Sequence, residues 1–161
     1  MNFVKLFSWS ILVILVPNLC IAQQIPQPPA SIEQEVFTVV EEMPRFPGCE
    51  GMQGDQADIK KCSGEKLFQY IFANLKYPEE AKKNGVQGTV IAKFIVQKDG
   101  TIGTIMILRD PGTGLGDAAK QVLRSMNSMP EKWIPGKQRG KSVNVYYTLP
   151  IKFELGSDSK K

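Results

Sequence analysis

Ser142-Val143-Asn144-Val145-Tyr146-Tyr147-Thr148-Leu149-Pro150-Ile151-Lys152-Phe153 is the stretch whose reading decides the fold. Val143, Val145, Tyr147, Leu149, Ile151 and Phe153 alternate with Asn144, Tyr146, Thr148, Pro150 and Lys152. A period of two means a strand with one buried and one wet face. Pro150 has no N–H to give to a ladder, which excludes a central position and predicts an edge strand. An edge carries a row of unpaired backbone groups, either a liability or a docking site for another chain's strand.

Working outward, Val90, Ala92, Phe94 and Val96 alternate in a second strand pattern. Lys98-Asp99-Gly100 supplies a turn, and Thr101 to Arg109 returns as its hairpin partner. Asp110 to Gly116 is glycine-rich, and Asp117 is the expected cap of a helix reaching about Met126, with Ala119, Val122, Leu123 and Met126 facing inward. Upstream, Ser63 is the expected cap of a helix over 65–75 whose inward face is Leu67, Phe68, Ile71, Phe72 and Leu75. Tyr77-Pro78 breaks it, and Pro78 opens a short helix, Glu79 to Asn84, stopped by Gly85.

The helix between the second and third strands carries the chain back across the sheet. The third strand then runs parallel to the second and antiparallel to the first. An α+β fold follows, with a three-stranded antiparallel sheet in the order 2-1-3 and helices packed on one face. The third strand lies at an edge, as Pro150 independently requires.

The first 22 residues read as a secretory signal peptide, with Lys5, an apolar run from Leu6 to Val16, and Cys20-Ile21-Ala22 as the cleavage site. A short retained anchor is the alternative, since Leu6 to Ala22 sits at the lower limit for a spanning helix. Residues 23–35 are a polar, Pro-containing linker, 36–64 an extended, disulfide-pinned extension that begins with a short strand at 36–40, 65–155 the main domain, and 156–161 a polar tail. Cys49 and Cys62 remain after cleavage, and an even pair in an exported chain reads as a disulfide. With no histidine in the chain, a two-thiol zinc site lacks ligands.

The 161-residue chain has a formal net charge of +4, falling to +3 if Lys5 leaves with the leader. That is ordinary solubility, not a nucleic-acid signature. Lys132, Lys137, Arg139 and Lys141 cluster in one loop without interleaved aromatics, as solvated loops do. Serine and cysteine nucleophiles lack a histidine base. Glu41-Glu42 and Glu79-Glu80 are neighbours whose side chains point apart, so both pairs read as surface charges rather than acid/base dyads. Gly112-Thr113-Gly114-Leu115-Gly116 imitates a dinucleotide loop, yet a carboxylate at Asp117 repels a pyrophosphate. No catalytic residue, metal site, cofactor, nucleic acid or small-molecule substrate is expected.

Five stretches in register carry a resemblance: Tyr77-Pro78-Glu79-Glu80-Ala81, Gly85-Val86-Gln87-Gly88-Thr89-Val90, Asp99-Gly100-Thr101-Ile102, Trp133-Ile134-Pro135-Gly136-Lys137 and Val143-Asn144-Val145. Together they resemble the TonB C-terminal domain family. Glu41-Glu42-Met43-Pro44-Arg45-Phe46-Pro47-Gly48 and the helix at 65–75 are similar to the extension of TonB-like proteins of the Bacteroidetes type. The resemblance implies a periplasmic energy-transducer module that binds the TonB box of outer-membrane receptors by adding it as a strand beside the last strand. A retained anchor would add ExbB–ExbD as a partner. The alternative reading is a soluble periplasmic adaptor that binds another envelope protein or the cell wall without transducing energy. The linker from Gln23 to Glu35 spans about 45 Å at most, at roughly 3.4 Å per residue.

Backbone groups alternate sides along a strand. If Pro150 faces away from the first strand, Asn144, Tyr146, Thr148 and Lys152 share that outward parity and are the expected peptide-binding positions. The basic loop at Lys137, Arg139 and Lys141 is expected to add specificity.

Overall fold

The computed structural model describes residues 35–155. In chain order the elements are β1 (Val36–Phe37), α1 (Gln56–Asn74), α2 (Glu79–Lys83), β2 (Gly88–Val96), β3 (Ile102–Arg109), α3 (Leu115–Ser125), β4 (Gly136–Gln138) and β5 (Lys141–Phe153). A single 3-10 turn, Met126–Ser128, closes α3. The signal peptide or anchor, most of the linker and the tail lie outside the described residues.

β2 lies inside the sheet, between β3 and β5, and its alternation is the cleanest in the chain. Val90, Ala92, Phe94 and Val96 are all fully buried on one face. It pairs antiparallel with β3 on one side and with β5 on the other, in a ladder from Gly88↔Phe153 to Val96↔Val145. The order β3-β2-β5 is the expected one. The sheet is nevertheless mixed and five-stranded, not a three-stranded antiparallel sheet. β1 adds parallel to the far side of β5, with Val36 opposite Asn144 and Phe37 opposite Val145. β4 forms a hairpin with the start of β5, from Gly136↔Val143 to Gln138↔Lys141. Its turn, Arg139-Gly140, has φ of +51° and +73°, the double left-handed geometry of a tight hairpin. Three polar residues cannot show a period, so β4 is invisible in the pattern.

α1 corrects a second expectation. It begins at Gln56, because the Asp55 carboxylate accepts hydrogen bonds from the Ala57 and Asp58 amides at 2.8 and 2.9 Å. Ser63 is not a cap. It is buried inside the helix and donates to the Phe46 carbonyl at 2.8 Å. The helix therefore runs straight through the expected boundary between extension and domain at 64/65. Its inward stripe is Ser63, Leu67 and Ile71. Phe68 and Phe72 point outward, 67% and 80% exposed, and stack on each other at 6.4 Å.

α3 has the expected inward face, with Ala119, Val122 and Leu123 buried and Met126 following. Its N-cap is Gly114, in the left-handed region and without a side-chain cap hydrogen bond. Asp110, from the preceding loop, accepts from the Gly112 and Gly116 amides at 2.8 and 3.2 Å, while Asp117 sits in the first turn paired with Lys120. A Cβ at Gly116 would collide with the Asp110 carboxylate, so the glycine there serves the approach of that side chain.

The helices cover one sheet face. An aromatic group closes the core beneath α1. The buried Trp133 ring meets Phe46, Phe94 and Tyr147 edge-on at 5.5, 5.7 and 5.3 Å. Offset and edge-to-face contacts of this kind add to the area that the rings bury.

Candidate functional site

β5 is paired unevenly along its length. β4 pairs with Lys141 to Val143, and on the side away from β2, β1 pairs with Asn144 and Val145. From Tyr146 to Phe153 the strand pairs with β2 alone among the described residues. Its other side is an open edge.

A groove of about 990 Å³ runs beside Tyr146, Tyr147 and Thr148. Two walls face this edge. One is the extension, Thr38 and Glu41 to Arg45; the other is α1, through Gln56, Lys60, Ser63, Gly64 and Leu67. Lys93 of β2 completes it. Smaller cavities, of about 200 Å³ near Ile59 and about 260 Å³ near Gln121, border no open strand.

The extension is held in place by backbone pairing. Glu42 and Lys137 exchange two hydrogen bonds at 3.1 and 2.9 Å, as do Arg45 and Ile134 at 3.0 and 2.9 Å. The Cys49–Cys62 disulfide ties it to α1. Glu41 and Glu42, read from sequence as surface charges, form a clamp. The Glu41 carboxylate accepts from the Arg139 amide at 3.0 Å, and Glu42 pairs with Lys137 at 3.5 Å.

The seven expected binding residues divide accordingly. Tyr146 and Thr148 line the groove. Lys93 lies over the Tyr146 ring, its Nζ 4.1 Å from the centroid. Asn144 is buried, its edge position is held by β1, and its side-chain oxygen accepts from the Lys98 amide at 2.9 Å. Lys137 and Arg139 engage the extension, and Lys141 is exposed at the hairpin. Lys152 pairs with Glu154 at 2.6 Å, away from the groove. Sequence reading missed Lys93, Lys60 and Arg45. Lys93 was discoverable as the one charge inside an apolar strand. Lys60 and Arg45 become neighbours of the edge only through folding.

Burial pushes the Tyr147 phenol above its ordinary 10.0. Among the described residues no group of three or more His, Cys, Asp or Glu side chains could hold a metal ion, and no helix is long and apolar enough to cross a membrane.

The chain belongs to the family of the Gram-negative bacterial TonB protein C-terminal domain, whose model matches residues 73–155, just over half of its 161 residues. It is similar to two solution structures of the Helicobacter pylori TonB C-terminal domain. One, of residues 194–285 of that protein, is 23% identical and covers 58% of this chain and 95% of the other, with a TM-score of 0.43. The second, of residues 179–285, is 22% identical, with coverage of 66% and 100% and a TM-score of 0.44. No curated protein matches. The family match includes all of β5 but stops short of the extension and most of α1, so both groove walls come from outside it.

Proposed function

We propose that this is a TonB-like periplasmic protein whose β5 edge binds the TonB box of outer-membrane receptors by strand addition and so contributes to energy-coupled transport. One observation carries the reading. The edge from Tyr146 onward lacks a second neighbour among the described residues and opens onto a groove that can admit an extended chain. Membership of the TonB C-terminal family supports it. Strand addition draws its affinity from main-chain hydrogen bonds and its selectivity from the flanking side chains. It needs neither a nucleophile nor a metal, and the protein acts as a binding module rather than an enzyme.

Pro150 lies opposite Ile91 in the ladder and has no N–H to give to β2. We place its parity, shared by Tyr146 and Thr148, on the outward side. Thr148→Pro then abolishes binding of a TonB-box peptide while thermal unfolding stays cooperative. Tyr147→Pro, on the inward parity and against Phe94 and Trp133, unfolds the domain. Peptide titration by fluorescence anisotropy alongside circular dichroism reads both. Full peptide binding by folded Thr148→Pro would sink the strand-addition reading.

A further inference from the structure

We propose that the sheet face turned away from the helices docks an amphipathic helix of a partner protein, one whose apolar stripe carries a carboxylate at its middle. Val90, Ala92, Phe94 and Val96 point into the core, so Ile91, Lys93 and Ile95 stand on the opposite face of β2. The ladders fix their neighbours. Ile91 lies between Arg109 and Pro150, Lys93 between Met106 and Thr148, and Ile95 beside Tyr146. A sheet face that meets only water is polar along its strands. This face is not. Met106 is 36% exposed, Leu108 at the bulge beside Ile91 is 58% exposed, and Pro150 is exposed as well. Ile91, Ile95, Met106 and Leu108 all stand outside the core cluster.

The strands contribute charge of one sign here. β2, β3 and β5 contain no Asp or Glu. Lys93 stands at the centre, with Arg109 and Lys152 toward two corners. Of the nearby acids, Glu154 pairs with Lys152 at 2.6 Å, and Asp110 turns to the amides of the loop before α3. Asp99 sits in the β2–β3 turn, and Glu41 and Glu42 border the groove from the extension. The Lys93 Nζ lies 4.1 Å from the Tyr146 ring centroid, which positions the ammonium without neutralising it. A second copy packed face to face would set Lys93 against its own counterpart, a like-charge contact that disfavours that occupant. A lipid surface calls for apolar groups that protrude, whereas Ile91 and Ile95 are half-buried in the sheet. A helix lying along the strands fits better. The rows of Ile91 and Ile95 lie about 7 Å to either side of Lys93, at roughly 3.4 Å per strand residue. Four helical residues advance about 6 Å. The matching stripe is an acid facing Lys93, with apolar residues four positions before and after it.

The test is selection of a displayed library of 18-residue helices, randomised on one face, on the purified full-length chain. Leu108→Glu and Lys93→Glu are run in parallel, each checked for cooperative thermal unfolding. Leu108 lies on β3, beyond β2 from the open side of β5, so its replacement leaves strand addition at that edge untouched. Expected are helices with the apolar–acid–apolar stripe. Changing the acid to its isosteric amide should weaken them about two- to fivefold, and Leu108→Glu should weaken them about tenfold or more. Lys93→Glu should shift the selected central residue from acid to Lys or Arg. Helices without a central acid, helices indifferent to Leu108→Glu, or no selected helices would overturn the proposal. So would a dimer in sedimentation equilibrium, or binding to phosphatidylglycerol vesicles, that Leu108→Glu abolishes, since either result would give the face a different occupant.

Discussion

Asp99 shows how much one side chain can determine locally. At the β2–β3 turn its carboxylate accepts from the Thr101 hydroxyl at 2.6 Å and the Thr101 amide at 2.9 Å. These bonds hold its pKa below the ordinary 3.8. A depressed carboxylate contributes stability above its unfolded pKa and loses it as pH falls through the folded value. Asp99→Asn should therefore be less stable than the parent at pH 7, and the gap should close as pH falls from about 4 toward 2. Denaturant unfolding at several pH values measures this. A gap independent of pH would place the effect in turn propensity rather than charge.

α1 illustrates the element scale, where pattern and packing disagree. Apolar residues at 67, 68, 71, 72 and 75 describe a broad stripe, but the helix buries only Leu67 and Ile71 of these and leaves Phe68 and Phe72 outward. Residues on the two sides of one stripe should then differ sharply. Ile71→Ala removes a core side chain and should cost about 2–5 kcal/mol, whereas Phe72→Ala should stay within about 1 kcal/mol. Equal losses in denaturant titrations would contradict this placement. The period alone cannot separate the two sides, because it does not record how far the helix is rotated against the sheet. That rotation is set by Ser63 donating to Phe46 and by Tyr70 packing on Phe46 at 5.6 Å.

At the scale of the whole molecule, the disulfide joins the two walls of the groove, since Cys49 follows the extension strap and Cys62 lies in α1. Closing the loop between them should stabilise the fold by about 3 kcal/mol in the chain-entropy model. Reduction should lower the midpoint of unfolding and also weaken peptides bound at the Tyr146–Thr148 edge. Parallel measurements on oxidised and reduced protein separate the two effects. A reduced protein that is less stable yet binds equally well would mean that the paired strap of Glu42 and Arg45 holds the wall by itself.

What residues 35–155 determine alone is the part governed by local rules. The β2–β3 hairpin, the inward face of α3 and the Cys49–Cys62 pairing follow from alternation, helical period and cysteine count, whereas the edge expected of β5 holds only from Tyr146 onward because β1 pairs with Asn144 and Val145. Each depends on neighbours in sequence or on one simple chemical fact. The extra strands and the groove do not. β1 and β4 are too short to show a period, and they exist because β5 offers them backbone partners. Glu41 looks like surface charge until the hairpin turn arrives beside it from 97 and 98 residues away, and Glu42 likewise until Lys137 does. Lys60, Lys93 and Arg45 carry nothing in sequence that links them. Only the packing of three elements around one unpaired edge brings their charges to the same space, because long-range contact is a property of the closed fold and not of local pattern.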